Sequence, residues 1–74
     1  VKGKNMLDRA IYHFKIALKL QPASAGTHNN LGFAFLMAGM FSQAYECYAR
    51  VLEIDPDHQL ARKNIKKAAD AKNR

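Results

Sequence analysis

Residues 25–58 read AGTHNNLGFAFLMAGMFSQAYECYARVLEIDPDH. Leu31, Phe35 and Ala38 fall on one helical face, the Gly39-Met40 step interrupts that helix, and Phe41, Ala44, Tyr45, Tyr48, Val51 and Leu52 make a second stripe at helical spacing. Two amphipathic helices joined by so short a turn pack antiparallel. Gly32 inside the first helix costs about 1 kcal/mol against Ala, so its use is to let the second helix approach closely. Ala44 suits the same purpose from the other side.

Sliding the sequence by 34 positions tests whether this unit recurs. Ala10, Phe14, Ala17, Leu18, Leu20 and Pro22 then fall on Ala44, Tyr48, Val51, Leu52, Ile54 and Pro56. In the other direction Asn64-Ile65 falls on Asn30-Leu31, and Ala69 on Phe35. Large, small and turn-forming residues keep register, so the unit repeats.

A 34-residue period with Leu31-Gly32, then Phe35, Ala44, Tyr48, a small residue and Pro56 resembles the tetratricopeptide repeat. His28 stands where that family often has Trp, and Val51 where it prefers Ala. The resemblance implies an all-α solenoid of antiparallel helix-turn-helix units. Residues 1–24 would be the second half of a preceding repeat, 25–58 a complete repeat, and 59–74 a C-terminal capping helix.

Four helices are expected, near residues 5–20, 25–38, 41–54 and 57–71, with no strand. Asn5 can cap the first, with Asp8 in the capping-box position. Leu7, Ala10, Ile11, Phe14, Ala17 and Leu18 give it a wide apolar stripe, and Gln21-Pro22 stops it. Ser24 is positioned to cap the second helix and Asp57 the last. In the last helix Ala61, Ile65, Ala68 and Ala69 form a thin apolar stripe among Arg62, Lys63, Lys66, Lys67, Lys72 and Arg74. Lys66 occupies the place of Gly32, a polar finish suited to the end of a stack.

Composition bounds the remaining possibilities. Seventy-four residues, 49% hydrophobic and 24% charged, make one small globular domain with little stability to spare. No apolar run approaches the roughly 20 residues that span a bilayer. A single cysteine excludes an internal disulfide framework and suits a reducing, cytoplasmic setting. The net charge of +6 is divided: five Lys or Arg oppose Asp8 in residues 1–24, Arg50 opposes four acids in 25–58, and six oppose Asp70 in 59–74. Two basic ends around an acidic middle do not make the continuous basic stripe of a nucleic-acid groove, and no aromatics interleave the terminal lysines. Nucleic acid is therefore not an expected partner.

Catalytic, cofactor-binding and metal-binding constellations are not discernible. His13, His28 and His58 have no companion at chelating spacing. Cys47 has no partner at a nucleophile spacing and reads as a structural thiol. The four glycines are isolated, so there is no phosphate loop, and Phe14, Tyr45 and Tyr48 read as core.

The one functional constellation is Asn30 and Asn64, one repeat apart. The family resemblance implies that the first helices of successive units line a concave surface, where such asparagines form a ladder. Each carboxamide offers a donor and an acceptor to the main chain of an extended peptide. Asn29, Phe33, Met37, Lys63 and Lys67 would share this groove. The family's carboxylate clamp for chaperone tails would need Lys or Arg where Leu60 and Asn64 stand. The expected function is a non-catalytic module binding a peptide or partner protein. The alternatives are a substrate-positioning segment of a larger enzyme and a self-assembly element. The last rests on Leu7, Ala10, Ile11, Phe14 and Leu18, which a single neighbouring helix would leave half bare, and predicts a homo-oligomer.

Overall fold

The computed structural model describes residues 2–74, with side chains from Met6 onward. It contains α1 (Lys2–Leu20), α2 (Ala25–Met37), α3 (Phe41–Ile54) and α4 (Gln59–Lys72), with no strand among the described residues. The middle two helices lie within a residue of their expected bounds. α1 starts three residues before the expected position, which puts Asn5 inside the helix rather than at its cap. Nothing between Lys2 and Leu20 breaks a helix, since an interior glycine such as Gly3 costs only about 1 kcal/mol. Asp8 therefore lies outside the first turn, which holds no acid.

Each turn is closed by local hydrogen bonds. After α1, Gln21 N–H donates to Ala17 O (2.9 Å), and Pro22 has no N–H with which to continue. Ser24 caps α2 as its spacing predicts: its hydroxyl oxygen accepts from Thr27 N–H at 3.2 Å. α2 ends in a Schellman arrangement, with Gly39 N–H donating to Leu36 O (3.1 Å) and Met40 N–H to Phe35 O (2.9 Å). This requires Gly39 at φ +77°, a conformation only glycine adopts freely.

The cap of α4 is a correction. His58, not Asp57, precedes the helix, and its Nδ1 accepts from Ala61 N–H at 3.1 Å. Asp57 sits one residue too early: its N–H is already engaged by Asp55 Oδ1 (3.2 Å), and His58 N–H closes the turn on Asp55 O (3.1 Å). His58 is 34 residues after Ser24, so the cap keeps the repeat register although the residue type changes.

The helices form a shallow layer of 36 × 34 × 15 Å. With helices about 10 Å across, that thickness leaves no room for a closed bundle. Among the described residues α2 packs against α1, α3 and α4, α3 also packs against α4, and α1 packs against α2 alone. This explains why α2 is apolar nearly all round, with Leu31, Phe33, Phe35, Leu36 and Met37 on different sides. The core joins Ile11, Leu31, Ala34, Phe35, Ala44, Cys47, Tyr48, Val51, Ala61 and Ala68. Gly32 is the point of close approach: a Cβ there would stand 3.0 Å from Cε1 and Cζ of Tyr48 and 3.2 Å from Cβ of Cys47. Lys66, at the corresponding place on α4, is exposed.

The α1 stripe is less bare than expected. Ile11 is buried, and Leu7, Ala10, Phe14 and Leu18 are half-buried against α2. Met6, Tyr12 and Leu20 are the more exposed apolar groups of that helix, at 70%, 64% and 80%.

Candidate functional site

A groove of about 500 Å³ runs between α1, α2 and α4. α1 contributes Leu7, Ala10 and Phe14, α2 contributes Asn29, Asn30, Phe33, Ala34 and Met37, and α4 contributes Leu60 and Asn64. Asn29, Asn30, Phe33, Met37 and Asn64 are thus brought together as their spacing suggests. Lys63 and Lys67 are not part of this lining. Lys63 lies in a depression with Leu52, Gln59, Arg62, Ile65 and Lys66, and Lys67 in another with Leu36, Asp70, Ala71 and Arg74. One residue is 100° of rotation on a helix of 3.6 residues per turn, enough to carry Lys63 away from the face that holds Asn64.

Leu7, Ala10 and Phe14, read from the sequence as a self-association stripe, are walls of the same groove. Leu60, four residues before Asn64 and so on the same face of α4, completes the lining. Phe33 and Met37 remain 52% and 61% exposed, so the apolar floor faces solvent. The groove is therefore concave, apolar at its floor and open to solvent.

Polar groups beneath the floor are incompletely satisfied. Tyr48 is fully buried, its hydroxyl has no hydrogen-bond partner, and the Oδ1 of Asn29 is likewise buried and unpaired. Burial pushes the Tyr48 hydroxyl pKa up, and the Asn64 side chain beside it pulls the other way. Cys47, next to Tyr48 in sequence, has its thiol pushed up to about 11 by burial and by the charge of Glu46, with Lys15 opposing. Such a thiol carries almost no thiolate near neutral pH, and thiolate is the nucleophile.

His28, unassigned by the sequence beyond packing, ties the α1–α2 turn: its Nε2 meets Pro22 O at 2.8 Å, the ring N–H donating. Lys15 and Lys72 extend over the rings of Phe35 and Tyr45, at 5.7 and 5.0 Å from the centroids. Among the described residues there is no group of three or more His, Cys, Asp or Glu able to hold a metal, and no helix is long and apolar enough to cross a membrane.

Compared with known families, residues 25–58 match the tetratricopeptide repeat. These residues are a tetratricopeptide repeat. The human protein O-mannosyl-transferase TMTC1 is 30% identical over 67 residues, covering 90% of this chain and 8% of its own length. The tetratricopeptide repeat-containing protein trd-1 of Caenorhabditis elegans is 33% identical over 61 residues, covering 82% of this chain and 8% of its own length. The tetratricopeptide repeat domain-containing chloroplastic protein PYG7 of Arabidopsis thaliana is 36% identical over 59 residues, 80% of this chain and 20% of its own. The chain thus spans at most a fifth of these relatives. Tetratricopeptide repeats generally mediate protein–protein interaction and are typically non-catalytic.

Proposed function

We propose that this chain binds an extended segment of a partner protein along the groove between α1, α2 and α4. The observation that carries the reading is the joining of carboxamides from two successive units, Asn30 and Asn64, with a solvent-facing apolar floor of Phe33 and Met37. A carboxamide pairs with a peptide group through both its donor and its acceptor, so it reads main chain rather than sequence. The adaptable thioether of Met37 and the ring of Phe33 take an apolar side chain of the ligand. In this reading residues 1–24 serve as the second half of a preceding repeat and residues 59–74 as a cap with a polar outer face.

The test uses a peptide selected from a display library on the folded chain, with affinity measured by calorimetry. Phe33→Ala is expected to weaken binding about tenfold, equivalent to about 1.4 kcal/mol, while the thermal melt stays in place because Phe33 is half exposed. A selected peptide with unchanged affinity for Phe33→Ala and Met37→Ala overturns the reading.

Self-assembly is a second reading, favoured by the exposed apolar side chains Met6, Tyr12 and Leu20 on α1. Light scattering across a concentration series, with Leu20→Glu as control, separates the two. A monomer at the highest concentration removes this second reading.

A further inference from the structure

The groove does not stop at Met37. A second hollow of about 470 Å³ opens beyond it, lined by Leu7 and Asp8 of α1, Met37 at the end of α2, and Ala38 and Met40 of the turn that follows. Leu7 and Met37 are walls of both cavities, so the hollow continues the groove toward the start of α1. Among the described residues that line the two, Asp8 is the one charged side chain, in a chain whose net charge is +6. Arg9, one residue on, is turned 100° away around α1 and is not in the lining.

Two features suit this hollow to a cation on an aliphatic stem. The first is its wall: Leu7 with the flexible thioethers of Met37 and Met40, which are 61% and 38% exposed, and the exposed carboxylate of Asp8 beside them. The second is the backbone. α2 ends here with no basic residue in its last turn to offset the partial negative charge of its carbonyl end. The opposite, positive end of α1 acts mainly over its own first turn, and that helix starts at Lys2, about 9 Å along the axis before Asp8. Lys and Arg match such a place, since their stems cover apolar surface while the tip reaches a carboxylate.

We propose that the hollow between the start of α1 and the end of α2 is a subsite for a Lys or Arg side chain, so that the partner segment carries an apolar residue on Phe33 and a basic residue two positions away. The inference rests on the groove-binding reading and adds the chemistry of the ligand. The spacing follows from geometry: Phe33 and Met37 are about 6 Å apart along α2, and alternate side chains of an extended chain share a face about 6.7 Å apart. The polarity is opposite to that of a clamp for acidic chain ends.

The experiment titrates the 15N-labelled chain, in low-salt buffer, with acetyl-Lys-Ala-Leu-Ala-Lys-amide and with its counterparts carrying Gln or Glu in place of both Lys. A basic residue on each side of Leu serves either direction of the ligand. The Lys peptide is expected to shift the amide resonances of Asp8, Phe33, Met37 and Met40 and to bind about fivefold tighter than the Gln peptide, as for one ion pair with an exposed carboxylate. The Glu peptide should bind most weakly, although a net charge of +6 would by itself favour it. In Asp8→Asn, at an exposed position, the Lys and Gln peptides should bind alike. A Glu peptide as tight as the Lys peptide, or a Lys preference that persists in Asp8→Asn, overturns the subsite. Shifts at Phe33 and Met37 that are equal for the Lys and Gln peptides overturn the subsite and keep the groove. Shifts at Asp8 and Met40 that vanish in Asp8→Asn, with Phe33 unmoved, overturn the groove-binding reading and keep the cation subsite. No shift with any of the three peptides overturns both.

Discussion

α1 and α3 carry nearly the same pattern and end in different surroundings. Ala10, Phe14 and Ala17 on α1 occupy the repeat positions of Ala44, Tyr48 and Val51 on α3. The first three are half-buried, and the last three have no exposed surface at all. The cause lies in the neighbours: α3 is held between α2 and α4, and α1 has α2 alone. Burial here is a property of position in the stack, so side chains at matching repeat positions carry unequal shares of the stability.

The largest effect expected from this contrast is at the aromatic position. Tyr48→Ala removes a fully buried ring that fills the approach at Gly32 and is expected to cost about 4 kcal/mol, the range for deleting a buried aromatic. Phe14→Ala should cost less than half of that, because its ring is already partly wet. Urea titrations of the two variants make the comparison, and equal losses would show that α1 is as fully packed as α3.

The next effect is read at alkaline pH. Cys47 on α3 corresponds to His13 on α1, buried in one case and exposed in the other. The folded chain keeps the Cys47 proton up to about 11, whereas the unfolded chain releases it near the ordinary thiol value of 9.0. The raised value means that this contribution is fully present below pH 9 and is lost as pH rises through 11. Its size is about 2.7 kcal/mol, from 1.36 kcal/mol per pH unit over about two pH units. The natural chain should therefore lose stability between these limits more steeply than Cys47→Ala. Parallel profiles would place the thiol in contact with water.

The smallest effect is at the small-residue position. Ala44→Leu, at a site with no exposed surface, is expected to destabilise by about 2 kcal/mol through overpacking. Ala10→Leu, on the groove wall, should leave the melting temperature nearly unchanged. Coincident melts for Ala44→Leu and the natural chain would break the assignment of Ala44 to the tight face.

Much of the architecture is legible in the sequence. Alternation of small and large residues at helical spacing, with breakers at Gly39 and Pro56, sets the helices, and Ser24 sets a cap because its hydroxyl can reach an N–H three residues on. The caps of α4 and α1 depart from the sequence reading for separate physical reasons. Asp57 is the better cap by residue type, but the turn spends its N–H on Asp55 and leaves His58 at the cap position. Asn5 is a good cap in a sequence that supplies no reason for the helix to begin there.

The candidate site divides in the same way. Asn29, Asn30, Phe33, Met37 and Asn64 could be gathered from the 34-residue period, because a repeat places equivalent residues on equivalent faces. Lys63 and Lys67 could not be placed, since 100° of rotation per residue makes the lining depend on how α4 is set against α2 and α3. By itself the sequence determined the helices, their order and the repeat that joins them, because spacing and turn chemistry act over a few residues. The tertiary structure alone decided which of two matching helices is fully buried and that Leu7 and Phe14 are walls of the asparagine groove. These depend on which helices become neighbours in space, and burial and hydrogen-bond satisfaction are set there.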